Sequence, residues 1–184
     1  MCIRDRANNH GYCSLIRATA WDVDSNKLVG IATTDMDNGT FVVLGNMNVD
    51  GQKNINGFEY NVTAATATST SVWVVRTPEA GTDMLEVQLY DDPRYFYNKA
   101  GKPMSLAYMN PHVDHIEVDA NCFTANFDPA TVTAATMAQL DTNGKLKAVS
   151  AAPASGAYFT IVGKHSIAVG QELVPTWVLR CERN

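Results

Sequence analysis

The chain has 184 residues, enough for one domain with a real core or for two small β units sharing one, and too few for a third. Its formal net charge is -5, and its 14 Lys and Arg are spread thinly, so it lacks the basic face that phosphate binding needs and nucleic acid is not an expected partner. No apolar run approaches the ~18 residues that a spanning helix requires, and no membrane is expected as a partner.

The chain opens MCIRDR, a charged stretch followed by ANNHGYCS, without the apolar run of a secretory signal. Written back into codons as ATG TGT ATA AGA GAC with a trailing AG, it resembles a transposon end used in tagmentation sequencing libraries. Residues 1–6 are therefore expected to be a translated adapter and are set aside from fold reasoning; dropping Arg4, Asp5 and Arg6 makes the net charge -6. Without Cys2, the cysteines are Cys13, Cys122 and Cys181, an odd and widely spaced set with no C-x-x-C pair. Such a set argues against a disulfide framework and a zinc site, and for folding in a reducing compartment.

Short β-type runs bounded by Gly, Asn, Asp and Pro then follow one another, with hardly any sustained 3.6-residue period. Residues 14–23 predict a first strand, 22–27 (DVDSNK) a turn and 28–33 a second strand. DMDNG (35–39) supplies turn chemistry before the apolar run FVVL, and 58–63 predicts another strand; with no secretory route expected, the sequon Asn61-Val62-Thr63 reads as strand sequence rather than a glycan acceptor. SVWVVRT (71–77), PEAGTD and MLEVQLY (84–90) read as a hairpin whose second arm alternates Leu85, Val87 and Leu89 with Glu86, Gln88 and Tyr90. DDPRYFYNKAGKP is loop-rich. In DHIEVDA (114–120), Ile116 and Val118 oppose His115, Glu117 and Asp119. Residues 128–140, opened by Asp128-Pro129, fit a capped short helix and a strand equally. LDTNGKL (140–146) is an Asn-Gly hairpin turn. Strands at 157–163 and 173–181 are joined by KHSIAVGQE. Leu173, Pro175, Trp177, Leu179 and Cys181 share one face of the last, and Pro175 marks an edge strand or a bulge. VTAAT occurs at 62–66 and again at 132–136, a match that Ala/Thr-rich composition produces by chance. The expected fold class is mainly β, an antiparallel β-barrel or β-sandwich with at most one short helix. Residues 7–184 form a single β-rich domain, divisible into β subunits 7–91 and 92–184.

Several patterns imitate chemistry. Asp22, Asp24 and Asn26 stand like the first ligands of a calcium loop, but Lys27 and Thr33 replace the Gly and Glu that such a loop needs, which favours a turn. His115, Glu117 and Asp119 on one strand face would seed a metal site, yet a solvated polar face predicts the same letters, and no metal is assigned. No nucleophile elbow, P-loop or dinucleotide fingerprint occurs, so no catalytic residue and no cofactor are assigned and the chain is not expected to be an enzyme. A metal-dependent enzyme would need His115 to meet ligands from distant strands. Arg94, Tyr95, Phe96 and Tyr97 form the densest aromatic cluster; in a loop, these types point to an interface.

The runs IATTDMDNGTFVVLGNMN, GKPMSLAYMN, DHIEVDANCFT, NGKLKAVSAAPASGAYFTIVGK and the closing VPTWVLR, spread over about residues 31–181, resemble small structural proteins encoded beside the major capsid gene of tailed phages, the head-decoration or capsid-auxiliary proteins. The resemblance implies a virion component made in the bacterial host cytoplasm. It would bind the major capsid protein on the outside of the assembled shell, commonly as a symmetric homo-oligomer. It supplies no catalytic motif to carry over. The alternative is a carbohydrate- or host-surface-binding β module of a phage fibre or tail, with Tyr95 and Tyr97 exposed on a concave face.

Overall fold

The computed structural model describes residues 9–18, 26–48, 59–79, 92–133 and 136–184. Residues 1–6, residues 22–25 of the calcium-like turn and the 84–90 hairpin arm lie outside them. The chain is mainly β, and among the described residues no helix reaches seven residues. In chain order the strands are β1 (Cys13–Arg17), β2 (Lys27–Ile31), β3 (Phe41–Met47), β4 (Tyr60–Ala64), β5 (Trp73–Val75), β6 (Pro103–Tyr108), β7 (His115–Asp119), β8 (Met137–Leu140), β9 (Leu146–Val149), β10 (Tyr158–Val169) and β11 (Glu172–Arg183).

They form two sheets. Strands β2-β4-β3-β5-β6 close a barrel, and β1-β7-β11-β10-β8-β9 form a six-stranded sheet. The six-stranded sheet is antiparallel throughout; in the barrel β2 and β4 run parallel, with Gly30 opposite Tyr60, and the other neighbours are antiparallel. The sheets interleave in sequence: β1 precedes the barrel yet pairs with β7, and β6 follows residue 92 yet closes the barrel against β2.

Alternation along three barrel strands explains how the sheets are joined. Successive side chains of a strand point to opposite faces. Phe41 of β3, Val74 of β5 and Ala107 of β6 enter a core shared with Ile116, Phe159, Trp177 and Leu179 of the six-stranded sheet. Their neighbours Val42, Trp73, Val75, Met104 and Leu106 fill the barrel interior with Val62 and Met36. Both faces of β5 are therefore buried, which is why WVV is apolar without a break. Phe41 and Phe159 meet across the junction with ring centroids 4.9 Å apart.

Several elements differ from the sequence expectation. The first strand is paired over Cys13–Arg17, with a register shift between Leu15 and Arg17, and residues 19–23 of the expected strand lie outside the described residues. PMSLAY, to which the pattern assigns no strand, is β6; Met104 and Leu106 face the barrel interior while Ser105 between them is exposed, an alternation masked by the preceding loop composition. Of the ambiguous segment 128–140, the described residues open in a turn and end in strand β8. Asp128 accepts the Ala130 N–H at 2.9 Å, its carbonyl accepts the Thr131 hydroxyl at 2.8 Å, and pairing begins at Met137. The 140–146 hairpin forms as expected, Leu140 opposite Leu146, with Asn143 at φ 59° and Gly144 at φ 69°.

The 164–171 connection is not a loop. β10 and β11 continue as one ribbon to a two-residue turn, Gly170-Gln171, where Gly170 has φ 60°, the positive value that a type II′ hairpin asks of its first position. β11 is central in its sheet, not an edge. Pro175 is tolerated because pairing with β7 stops at Thr176, so among the described residues Pro175 lies where β11 pairs with β10 alone.

Candidate functional site

The segment after residue 91 is built around Asp92. Its carboxylate accepts the Arg94 backbone N–H at 2.9 Å, which with Pro93 at the first position starts the 3₁₀ turn Pro93–Tyr95. The Arg94 guanidinium folds back onto the same carboxylate, Nε to Oδ1 at 2.9 Å and Nη2 to Oδ2 at 2.7 Å, and Nη2 also donates to Glu172 Oε2 at 3.0 Å. The hydrogen bonds to Asp92 and then to Glu172 hold the guanidinium still more firmly protonated than usual. Arg94 and Phe96 are buried, and Tyr95 and Tyr97 are half-buried. Tyr97 stacks on His10 with centroids 4.8 Å apart, and His10 donates its backbone N–H to the Arg94 carbonyl at 3.1 Å. Of the four interface residues read from sequence, two therefore anchor the segment and two contribute partly exposed aromatic surface.

Glu172 connects this segment to the far end of the β10–β11 ribbon. β8 pairs with β10 through Thr160, and β7 pairs with β11 up to Thr176. Beyond those points Ser166–Val169 and Glu172–Pro175 pair with each other, past the ends of their neighbours in the sheet. One face of this extension, Ser166, Ala168, Leu173 and Pro175, is exposed and uncharged, with Leu173 at 70% exposure. On the other face Val174 is buried and Ile167 and Val169 are half-buried. Leu173 thus shares a strand face with Trp177, Leu179 and Cys181 but not their burial, because it has run past the core. No local pattern distinguishes it from them.

A polar cleft of about 350 Å³ lies where the β2–β3 loop of the barrel meets the β8–β9 turn of the sheet, lined by Thr34, Asp35, Asp37, Thr40, Asn143 and Lys145 together with Met36 and Ala64. Asp35 accepts the Ala100 N–H at 2.8 Å, Asp37 pairs with His10 Nδ1 at 2.7 Å, and Lys145 Nζ donates to the Asn121 carbonyl at 2.9 Å. DMDNG announces only a turn; that the turn faces NGK is a tertiary fact. A more apolar cavity, about 380 Å³, lies between β1 and strands β2 and β6, walled by Leu15, Leu28, Leu106 and Pro78. Arg76, also in its lining, donates to Glu79 at 3.1 Å and to the Thr77 carbonyl at 2.7 Å.

The His115, Glu117, Asp119 row is not one solvated face. His115 and Glu117 are half-buried, with Glu117 accepting the Thr176 hydroxyl, but Asp119 is 1% exposed. It accepts the Tyr12 N–H and the Asn121 side chain, each at 3.0 Å, and the Cys122 thiol at 3.5 Å. Asp119 turns inward because it satisfies donors that the edge strand and the following 3₁₀ turn would otherwise bury alone. Among the described residues no three His, Cys, Asp or Glu side chains are grouped as a metal site would need. Cys13, Cys122 and Cys181 are free and buried; burial pushes the thiols of Cys13 and Cys181 up to about 12 and that of Cys122 well above its ordinary value, so none is poised as a nucleophile.

No protein-family model matches the chain, and no curated protein matches it.

Proposed function

We propose that the chain is a non-enzymatic structural protein of a phage virion, made in the bacterial host cytoplasm, that binds the major capsid protein on the outside of the assembled head as a homo-oligomer. The observation that carries this reading is the projecting β10–β11 ribbon, whose uncharged face, with Leu173 largely exposed, stands clear of the core and is braced at its end by Glu172 on Arg94. A braced ribbon of this kind presents apolar contact area at low ordering cost, the economy an interface needs. Half-buried Tyr95 and Tyr97 lie on the segment that braces it, and aromatic residues are enriched at protein contacts. Repeated copies on a lattice would multiply weak single contacts into stable attachment.

Co-sedimentation with expanded capsids of the cognate phage tests the proposal. The wild-type chain should pellet with capsids, and Leu173→Asp should lose at least about tenfold in affinity, the effect of removing a central contact, with its melting temperature unchanged. Failure of the wild-type chain to bind would sink the reading. A second reading, a carbohydrate- or host-surface-binding module of a fibre or tail, would draw on Tyr95 and Tyr97, which keep part of their rings exposed.

A further inference from the structure

The polar cleft has a chemistry that the capsid reading does not use. Its two carboxylates each have an oxygen already committed to a positioning bond, Asp35 to Ala100 and Asp37 to His10, and Lys145 has one N–H committed to Asn121. The remaining carboxylate oxygens, ammonium protons, Asn143 amide and threonine hydroxyls offer acceptors and donors side by side.

The mixture narrows the ligand. A divalent cation would meet the Lys145 ammonium in the same cleft and, among the described residues, no third acidic or histidine ligand. An anion would meet Asp35 and Asp37. An apolar ligand could pack on Met36, Ala64 and the threonine methyls, but it would leave the carboxylates, the ammonium and the amide desolvated without partners. A neutral polyol satisfies all of it, since neighbouring hydroxyls donate to a carboxylate while their oxygens accept from an ammonium or an amide. Such charge-assisted bonds are about twice as strong as neutral ones. The volume of about 350 Å³ lies at the small end of the range of ligand pockets, about 300–1,000 Å³, and suits a single sugar ring.

The lining is also prepared in advance. The turn bearing Asn143 and Lys145 is closed by Asp141 N–H to the Lys145 carbonyl at 2.8 Å and tied to the barrel by Gly144 N–H to the Ala65 carbonyl at 3.0 Å. On the opposite side, the Met36–Asn98 bridge fixes the loop that carries Asp35 and Asp37. Groups held this way lose little freedom on binding, which matters for a small ligand with few contacts. We propose that the cleft between the 34–40 loop and the 141–145 turn binds one neutral sugar unit, with Asp35 and Asp37 accepting from its hydroxyls and Asn143 and Lys145 donating to them.

The same chemistry would be offered by free sugars and by glycans of a cell envelope. The uniformly ¹⁵N-labelled full chain should be titrated with methyl glycosides of glucose, galactose and N-acetylglucosamine, and separately with oligosaccharides released from bacterial envelopes. Saturable amide shifts confined to residues 34–40 and 141–145 are expected in at least one arm, and the arm with the tighter response identifies the source. Asp35→Asn and Thr34→Val should each weaken the response, Asp35→Asn by about tenfold, with the rest of the spectrum unchanged. No saturable shift with any glycan overturns the proposal, as does a response to calcium chloride alone, which would mark a cation site. Capsid co-sedimentation of Asp35→Asn should equal that of the wild-type chain, so failure here and failure of the capsid reading are separate results.

Discussion

Asp119 shows how far one residue's role depends on what lies across the fold from it. Burial raises its carboxyl above the ordinary 3.8, and the Tyr12 N–H and the Cys122 thiol only partly oppose this. A carboxyl raised on folding holds its proton more tightly in the native state, so its contribution to stability is present below about pH 3.8 and is lost as pH rises through the folded value. Asp119→Asn removes that linkage. Melting temperatures measured from pH 4 upward should therefore decline less steeply in the variant than in the wild-type chain, and parallel curves would show that the carboxyl is not the linked group. Arg94 shows the same dependence. The letters RYFY are those of an interface, yet Arg94 is spent on Asp92 two residues away and Glu172 seventy-eight residues away. The nearer partner is visible in the sequence; the farther one is not.

At the scale of elements, two glycines separate what a turn needs from what packing needs. Gly144 and Gly170 both have positive φ, 69° and 60°. A Cβ on Gly144 would collide with the Phe41 carbonyl oxygen, whereas at Gly170 no described residue lies within 4 Å. Gly170→Ala should cost about 1–2 kcal/mol, the strain of a left-handed L residue. Gly144→Ala adds overlap against barrel backbone and should cost about 3 kcal/mol or more. Urea denaturation of both variants checks the ordering, and equal costs would mean that the β8–β9 turn does not press on β3. The Asn-Gly turn itself was legible because its chemistry is local. The length of the β10–β11 ribbon was not: KHSIAV is too polar to read as a strand, and it is ordered by pairing with β11 rather than by burial. β6 was missed for a related reason, since its two inward residues serve one core and Ala107 serves another.

For the whole molecule, the decisive feature is the core that both sheets share. Phe41 and Val74 from the barrel sit in one cluster with Phe159 and Trp177 from the sheet, so neither sheet buries its apolar face alone. The two should unfold as one unit. Variants retaining only Trp73, in the barrel interior, or only Trp177, in the shared core, should report the same unfolding midpoint. Phe159→Ala should lower both midpoints together, at a cost of about 3–5 kcal/mol. A barrel signal that outlasts the sheet signal would show two independent units.

Composition and alternation were sufficient to determine a mainly β chain and most of its strand positions, because period and turn chemistry are properties of neighbouring residues. Only the tertiary structure decided that β1 and β6 exchange partners across the two sheets, that Asp119 faces inward and Leu173 outward, and that DMDNG and NGK face one another across a cleft. Each of these depends on which distant strand supplies the other wall, and side-chain alternation marks the two faces of a strand without naming what covers either of them.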